Sequence, residues 1–309
     1  MSWANNLRES EAFNQRECWS EKETSQKGST PPPQVPFKRG KVKDVYDIGD
    51  DKLLFVFTDR VSAYDVVLQS TIPKKGEALC KMAEFWFNYL KTPHHMVRLK
   101  DPQRMVVRKL KMIPVECVAR GYLYGSLYER LTKHEIFLPS VEPVLAAKLP
   151  EPIFDPTTKS ETKDEPITVE QIEDEGWLDA EQIAALKERT ISIYKTMIDR
   201  ADSAGFILAD LKLEFGFDED ENIILADSIG PDEFRLWPKE NYAPGKTQES
   251  YDKQPIRDWL SKVGYKKTLD EAWKQGLPVP RPPDLPEDLI SETSKRYIIA
   301  YERLTGLKL

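Results

Sequence analysis

The segment ADLKLEFG, residues 209–216, limits the fold of this chain more than any other stretch. Apolar and charged residues alternate along it, and a period of two is typical of a β-strand. One face is apolar, and the other carries the three charged side chains Asp210, Lys212 and Glu214. The segment therefore predicts a strand with a core on one side and a row of charges on the other.

A second apolar run, IILADS at residues 223–228, follows a short turn and also ends in an acid, Asp227. The two runs predict a β-hairpin. Both are strongly apolar, so we expect both hairpin faces to be covered at least in part. Carboxylates held in a covered cleft usually coordinate Mg2+ and with it the phosphates of a nucleotide. The hairpin thus predicts the metal-binding floor of an ATP site, with Lys212 as counter-charge; the alternative is a solvated sheet face.

Composition excludes several classes of function. The formal charge of -7 on 309 residues argues against sequence-independent binding to nucleic acid, which needs a basic surface. The 3 cysteines stand far apart, which favours a reducing, cytoplasmic compartment. No apolar run approaches the roughly 18 residues of a membrane helix, and the N-terminus is too polar for a signal peptide. The histidine spacing does not suit zinc, so we expect any metal to be an oxygen-ligated cation such as Mg2+.

The order of elements predicts an α+β fold with antiparallel sheets, C-terminal helices and a cleft between two lobes. We expect an extended leader at 1–36, a β-rich ATP-binding lobe at 37–114 and a mixed lobe at 115–309. Early strands are predicted at 42–48 and 52–58. Helical patterns occupy 77–90, 168–178, 179–205, 249–260 and 286–306. Residues 139–166 are rich in proline, threonine and acids, which predicts a long loop of the kind that often forms a lid.

Two polar stretches in the first half are candidates for ligand contact. In KRGKVKDVYD, residues 38–47, a glycine lies among cations, and Lys41 and Lys43 fall on one face. This pattern suits a phosphate cradle, and the alternative is a basic edge strand protected against pairing. The stretch TDRVSAYD, residues 58–65, is either a second polar wall of a site or a solvated turn. Its polar members are Asp59, Arg60, Ser62 and Asp65.

Two further stretches place arginines where anions could bind. In VECVARGYLYGS, residues 115–126, Glu116 and Arg120 stand in an apolar context where unpaired charges are costly. Either they pair with each other or they face a ligand, with Ser126 within reach. In GPDEFRLW, Arg235 follows a Gly-Pro turn and is suited to clamp a phosphate or carboxylate. The alternative for this arginine is a surface ion pair with a neighbouring acid.

Taken together and in this order, the motifs resemble the SAICAR synthetase family of purine-pathway ligases. The resemblance runs from about residue 38 to about residue 262. The matching stretches are GKVKDVYD, TDRVSAYDVV, IPKKG, VECVARGYLYGS, LPEPIFDPTTKSE, ILADLKLEFG, PDEFRLW and SYDKQPIRDWL. It implies a two-lobed, ATP-grasp-like fold that holds MgATP between its lobes. It also implies that L-aspartate is joined to the carboxylate of carboxyaminoimidazole ribotide (CAIR) through an acyl phosphate, giving SAICAR, ADP and phosphate.

The resemblance assigns roles to residues of this chain. Its ATP-binding set is Lys41, Lys43, Arg108, Lys109, Leu110, Met112, Glu214 and Asp227. Its Mg2+ ligands are Glu214 and Asp227, which with Lys212 form the catalytic set. Its substrate-binding set is Asp59, Arg60, Ser62, Asp65, Glu116, Arg120, Ser126, Lys159, Asp232 and Arg235. The implied partners are the small molecules ATP, CAIR and L-aspartate, bound by a monomer or a homodimer.

Four positions depart from the family pattern. The family usually has an acid where Ser228 stands, and small residues where Asp155, Glu233 and Phe234 stand. An added carboxylate beside a substrate phosphate costs affinity unless it points away or meets a cation. The departures leave two alternatives open. One is a paralogous ATP-dependent amide ligase that acts on another carboxylated nucleotide, and the other is a non-catalytic, ATP-binding scaffold protein.

Overall fold

The computed structural model describes residues 36–159 and 164–309. Its strands are β1 (Lys38–Arg39), β2 (Lys43–Asp47), β3 (Lys52–Phe57), β4 (Arg60–Ala63), β5 (Val66–Thr71), β6 (Met96–Asp101), β7 (Arg104–Arg108), β8 (Lys111–Tyr122), β9 (Lys148–Phe154), β10 (Thr157–Thr158), β11 (Phe206–Phe217), β12 (Ile223–Ala226) and β13 (Phe234–Pro238). Its α-helices are α1 (Lys75–Tyr89), α2 (Ser126–Thr132), α3 (Val169–Asp174), α4 (Ala180–Ser203), α5 (Gln254–Lys262), α6 (Tyr265–Lys274) and α7 (Glu287–Thr305). The predicted leader at 1–36 lies outside these residues, apart from its last position.

The first sheet is antiparallel and has the strand order β1-β2-β3-β7-β6. Strands β2 and β3 confirm the strands predicted at 42–48 and 52–58. Helix α1 confirms the helix predicted at 77–90, and its buried face includes Met82 and Trp86. These side chains belong to the same apolar core as Phe55 and Phe57 of β3. One face of the first sheet is therefore covered by α1.

The second sheet is also antiparallel, and β11 lies at its centre. Strand β8 pairs with one edge of β11, while β12 and β13 pair with successive parts of the other edge. Strands β9 and β10 extend the sheet beyond β8. Helix α4 packs on β11 and β8. It begins with a capping box between Asp179 and Gln182, in which each side chain accepts a hydrogen bond from the other residue's backbone N–H.

The small hairpin β4–β5 forms a third, two-stranded sheet. Its apolar side chains pack with those of α5 and α6 in a separate core, which contains Val61, Leu68, Ile256, Leu260 and Leu269. Through this core the C-terminal helices cover residues that lie early in the chain. Of the described helices, none has the length and apolarity that crossing a membrane requires.

The structure corrects two predictions about elements. Residues 139–166 were expected to form one long loop, yet their described part contains β9 and β10, because this segment completes the sheet beyond β8. Helix α6 was not predicted. It begins after Gly264 with no side-chain cap, and it buries Leu269 in the core of the small hairpin. The predicted boundary between residues 114 and 115 falls inside β8 and stays a prediction.

Candidate active site

The charged face of β11 is covered, as the hairpin pattern predicts. Asp210 and Glu214 are only 6% and 5% exposed, although both carry carboxylates. The opposite face, with Leu211 and Leu213, is buried in the main core that α4 also joins. The alternative of a solvated sheet face is therefore wrong. Buried carboxylates are costly unless cations pair with them, so the partners of each acid define what the site can do.

Lys212 pairs with Glu116 across the two central strands. Its Nζ lies 2.5 Å from a Glu116 carboxylate oxygen, and the other Glu116 oxygen accepts a hydrogen bond from the Thr157 hydroxyl at 3.1 Å. Burial alone lowers the pKa of Lys212, but the charge and hydrogen bond of Glu116 outweigh it and raise that pKa. Lys212 is thus a fixed cation at the middle of β11.

Glu214 and Asp227 each form an ion pair with a lysine. Glu214 pairs with Lys159, which follows β10, and Asp227 pairs with Lys43 of β2. Burial, followed by the nearby charges of Lys43 and Lys212, lowers the pKa of Lys159 to about 7. Burial is also the largest cause that lowers the pKa of Lys43 to about 8. Both lysines therefore lose their proton more easily than an exposed lysine does. A further anion beside them would favour the protonated form.

The direction of the Asp227 side chain is set by a change of backbone conformation directly after β12. Its φ is 59°, in the left-handed region, so its side chain leaves the alternation of the strand. The ring of the buried His95 donates from Nε2 to the Asp227 carbonyl oxygen at 2.9 Å and holds this turn in place. Lys43 also reaches Ser228, whose hydroxyl oxygen lies 3.2 Å from its Nζ. Ser228 thus shares a cation with Asp227.

The two carboxylates alone do not complete a Mg2+ site, and a bound substrate would have to supply further oxygen ligands. Within the described residues there is no group of three His, Cys, Asp or Glu side chains that suits a metal ion. Mg2+ is usually bound by one or two carboxylates, with water and substrate phosphates completing its shell. Glu214 stands opposite Ala226 in the strand register, and Asp227 is the next residue along the chain. Their number and oxygen chemistry match a Mg2+ ion carried by a nucleotide.

Arginines converge on Asp210, at the other end of the charged row. Arg235 of β13 forms an ion pair with Asp210, and Arg120 of β8 lies 3.6 Å from the same oxygen. Arg235 does not pair with its neighbouring acids, so that alternative is wrong. Its guanidinium lies so close to Gly125 that a Cβ there would be 2.8 Å from an arginine nitrogen, and this close approach requires glycine.

Arg120 also binds Asp155, one of the departures from the family pattern. Its Nε lies 2.5 Å from the Asp155 carboxylate, and its terminal nitrogen donates to the Ser126 hydroxyl at 3.1 Å. Arg130 of α2 donates to both Asp155 oxygens at 2.6 Å. The added acid therefore meets two cations. The alternative that Glu116 and Arg120 pair with each other is wrong, because each has a different partner.

Asp232 is the centre of a buried network behind the cavity. Its carboxylate accepts from Lys75 at 2.7 Å and from the Tyr297 hydroxyl at 2.5 Å, and Lys253 lies 3.3 Å away. Lys75 belongs to the IPKKG motif, but the sequence interpretation assigned it no role. The network links α1, the turn before β13, the segment before α5 and helix α7. It fixes the backbone that leads to Arg235.

A cavity of about 200 Å³ opens between these groups. Its walls include six of the predicted residues: Glu116, Arg120, Ser126, Lys212, Asp232 and Arg235. They also include Glu233 and Phe234, which depart from the family pattern, and Asp252 and Arg257, which sequence reasoning missed. A charged pair inside the matching stretch SYDKQPIRDWL was the available signal for the last two. The cavity adjoins the charged face of β11 from Asp210 to Lys212.

The four predicted polar residues of 58–65 lie outside the cavity walls. Asp59 accepts from the Gly76 backbone N–H at 2.9 Å, and Ser62 is buried in β4. Arg60 donates to Asp44 at 2.6 Å and to the Gly40 carbonyl oxygen at 3.0 Å, which holds the glycine turn before β2. Asp65 pairs with Lys41 on that turn. Their assignment to substrate stays a prediction.

The residues predicted to bind ATP at 108–112 also lie outside the cavity walls. Arg108 donates to the His94 carbonyl oxygen at 2.9 Å, and Lys109 donates to Asp47 at 2.9 Å. Leu110 and Met112 follow at the start of β8, next to the far end of β11, where Gly216 stands opposite Met112. The segment therefore lies at the same end of β11 as Glu214. This position is compatible with the prediction that both contact the nucleotide.

Comparisons with known proteins agree on one family. The sequence model of the family described as SAICAR synthetase matches residues 36–272. The phosphoribosylaminoimidazole-succinocarboxamide synthase of Nitrosopumilus maritimus is 52% identical over 271 residues, which are 87% of this chain and 98% of that protein. The enzyme of the same name from Mycobacterium ulcerans is 43% identical over 284 residues, 87% of this chain and 92% of that protein.

Solved structures give the same result. The SAICAR synthase of Saccharomyces cerevisiae, in complex with SAICAR, superposes with a TM-score of 0.76 at 33% identity and covers 91% of this chain and 99% of its own. A SAICAR synthetase in complex with ADP superposes with a TM-score of 0.66 at 28% identity, over 88% of this chain and 98% of its own. The predicted α+β fold with antiparallel sheets is confirmed. This chain belongs to the SAICAR synthetase family.

Proposed function

We propose that this protein joins L-aspartate to the carboxylate of CAIR at the expense of ATP, giving SAICAR, ADP and phosphate. One observation carries the proposal within the family: three same-face positions of β11 engage three different charged groups. Asp210 meets arginines, Lys212 meets Glu116, and Glu214 meets Lys159. From Asp210 to Glu214 a strand spans about 13 Å, which is room for an acid and a terminal phosphate side by side.

The nucleotide belongs at the Glu214 end of this row. One structurally similar family member binds ADP, and the paired carboxylates Glu214 and Asp227 suit a nucleotide-borne Mg2+. When bound, this ion would neutralise phosphate charge. Lys43 and Lys159 pair with these carboxylates in the free protein. If the carboxylates held the ion, both lysines would be free to bind the phosphates. The turn that carries Lys41 would close over the same phosphates.

The ribotide belongs at the Asp210 end. One structurally similar family member binds SAICAR, whose phosphate and carboxylates need cationic partners. Arg120, Arg235 and the Ser126 hydroxyl line the cavity at this end. A planar guanidinium binds phosphate or carboxylate through two parallel hydrogen bonds. We assign the CAIR site to these three groups, with Arg235 held in position by Asp210.

The chemistry follows from this placement. The CAIR carboxylate attacks the γ-phosphorus of ATP, the bond to the β-phosphate oxygen breaks, and an acyl phosphate forms. The aspartate nitrogen then bonds to the acyl carbon, and phosphate leaves. Lys212 stands between the two ends, as a fixed cation beside the transferred group. Positioning and charge neutralisation are the main sources of rate acceleration in phosphoryl transfer.

The test is phosphate release with MgATP, CAIR and L-aspartate, with the product identified by mass. We expect product at the mass of SAICAR, dependent on all three substrates. Glu214→Gln should abolish most of it, while the exposed Glu219→Gln in the hairpin turn is the matched control. No phosphate release above the level without CAIR would contradict the proposal.

A paralogous ligase is the second candidate, favoured by Glu233 and Phe234 in the cavity wall. It predicts tight ATP binding without SAICAR formation, and turnover with another carboxylated nucleotide. Activity with CAIR at ordinary efficiency would exclude it. Turnover that depends on Glu214 would exclude a non-catalytic scaffold. Size-exclusion chromatography with light scattering distinguishes the predicted monomer from the predicted homodimer.

A further inference from the structure

Glu233 lines the cavity and has one carboxylate oxygen without a partner. Its Oε2 is buried and has no hydrogen-bond partner among the residues that the structure describes. Its backbone is held on both sides, since its N–H donates to the Gly230 carbonyl at 2.9 Å and its carbonyl accepts from the Lys212 N–H at 2.7 Å. The side chain therefore projects from a fixed turn. A buried acid without a partner is costly, which indicates that a ligand group completes it.

Charged groups from several elements face Glu233 at longer range. They are Asp232 on its own turn, Lys212 on β11, Lys43 on β2, Lys253 before α5 and the Tyr297 hydroxyl on α7. Burial is the largest cause that raises the pKa of Glu233 to about 7, and Asp232 raises it further, while the lysines oppose the shift. This carboxyl can therefore exchange a proton near neutral pH.

Three other acids of the cavity are held by cations. Glu116 is bound by Lys212, Asp210 by Arg235, and Asp232 by Lys75. Asp252 accepts a hydrogen bond from the Gln254 backbone N–H at 2.6 Å. An acid that is held by a cation is a poor proton acceptor, because protonation would break the ion pair. Glu233 is free of that restriction.

The proposed reaction needs such a group. This inference rests on the proposed function, in which an amino acid supplies the nucleophile. At neutral pH its amine is an ammonium ion, which has no lone pair with which to attack an acyl carbon. It must lose one proton before attack and a second as the amide forms. A carboxylate in the cavity wall both attracts the ammonium and provides the proton acceptor.

We propose that Glu233 binds the ammonium group of the amino-acid substrate and takes its proton. The nitrogen keeps the electron pair of the broken N–H bond, and Glu233 becomes a neutral carboxylic acid. The free amine then attacks the acyl phosphate, and phosphate leaves with the electrons of the broken C–O bond. The second amine proton goes to the departing phosphate or to water. Glu233 returns its proton to solvent after product release.

The test separates the two half-reactions in Glu233→Gln. Hydroxylamine is largely unprotonated at neutral pH, so it traps the acyl phosphate as a hydroxamate without a proton acceptor. We expect the variant to form hydroxamate from ATP and CAIR at the wild-type rate. With L-aspartate at pH 7 we expect kcat/KM to fall about 10²-fold or more, within the range of general-base catalysis. Glu240→Gln, an exposed site beyond β13, is the matched control.

The pH profile supplies a readout that a structural role would not change. Wild-type kcat/KM for aspartate should rise through pH 7 and then level off as Glu233 ionises. In Glu233→Gln it should keep rising with pH, because free amine then comes only from solution. Equal loss of hydroxamate and SAICAR, or wild-type rates for both, would overturn the inference. A wild-type protein that forms neither product would instead refute the proposed function, and the inference with it.

Discussion

Replacing Asp232 by asparagine should lower the free energy of unfolding by about 3 kcal/mol. The side chains of Lys75 and Asp232 are 0% and 1% exposed, so the change leaves a buried ammonium without its anion. Removing one partner of a buried ion pair typically costs about 3–5 kcal/mol. The Tyr297 ring centroid lies 5.6 Å from Lys75 Nζ, and a cation–π contact of about 0.5–2 kcal/mol remains. This contact places the expected loss at the lower end of the range.

Urea unfolding followed by tryptophan fluorescence measures the loss. The matched control is Asp202→Asn, because Asp202 pairs with Lys239 at 2.6 Å but their side chains are 62% and 44% exposed. An exposed pair contributes less than about 1 kcal/mol. If Asp232→Asn costs no more than this control, the buried lysine does not depend on its carboxylate and the reasoning is refuted.

The same pair sets a pH dependence. Burial alone raises the pKa of Asp232, but the charges of Lys253 and Lys75 and the hydrogen bonds from Lys75 and Tyr297 outweigh it, so that pKa lies below its ordinary 3.8. A carboxyl with a depressed pKa stabilises the fold above its unfolded pKa and loses this effect as pH falls. Wild-type stability should therefore decline more steeply below about pH 4 than that of Asp232→Asn.

Three further changes test the site and its support. Asp227→Asn should weaken Mg2+-dependent ATP binding, measured by calorimetry, and lower kcat by orders of magnitude, because the metal loses an anionic ligand. Arg235→Ala should raise KM for CAIR about tenfold and leave KM for ATP unchanged, because it removes a charged hydrogen-bond donor from the ribotide end. Gly121→Ala should lower Tm and cost about 1–3 kcal/mol, because its Cβ would overlap the buried Tyr194 hydroxyl.

Each change has a result that would contradict its prediction. Asp220→Asn, exposed in the turn between β11 and β12, is the control for Asp227→Asn. Wild-type turnover of Asp227→Asn would remove Asp227 from the metal site. A rise in KM for ATP alone would move Arg235 to the nucleotide end. Tyr194→Phe should relieve part of the strain of Gly121→Ala, so a purely additive double variant would contradict the proposed overlap.

Sequence patterns predicted the helices and strands that are stabilised mainly by residues close to one another in the chain. The alternation of β11 located a strand with one charged face, and the capping pair Asp179 and Gln182 marks the start of α4. Helix α6 was missed because it has no capping side chain and only 10 residues, so its stability comes from packing against the small hairpin. The hairpin residues of this core, such as Val61 and Leu68, lie far earlier in the chain than α6, beyond the reach of any periodicity.

The site was predicted as a set of residues, but not as a set of pairs. Lys159 and Glu214 are far apart in sequence, as are Lys43 and Asp227, and spacing carries no information about either contact. Lys75 was missed because a lysine in a polar motif is normally exposed, whereas here an acid from another element allows its complete burial. Such pairs follow from tertiary structure, which only the fold supplies.

The position of β11 has a consequence for how working molecules arise. A slip of one residue against β8 would exchange its faces, so that Asp210 and Glu214 would enter the core and Leu211 and Leu213 would enter the cleft. That error would bury unpaired charges in the core, and it would also remove the charged groups from the active site. A chain with the wrong register of β11 would therefore be both unstable and inactive, so this error does not yield a folded but inactive protein. For this protein, counting active sites is also a way of counting correctly folded chains.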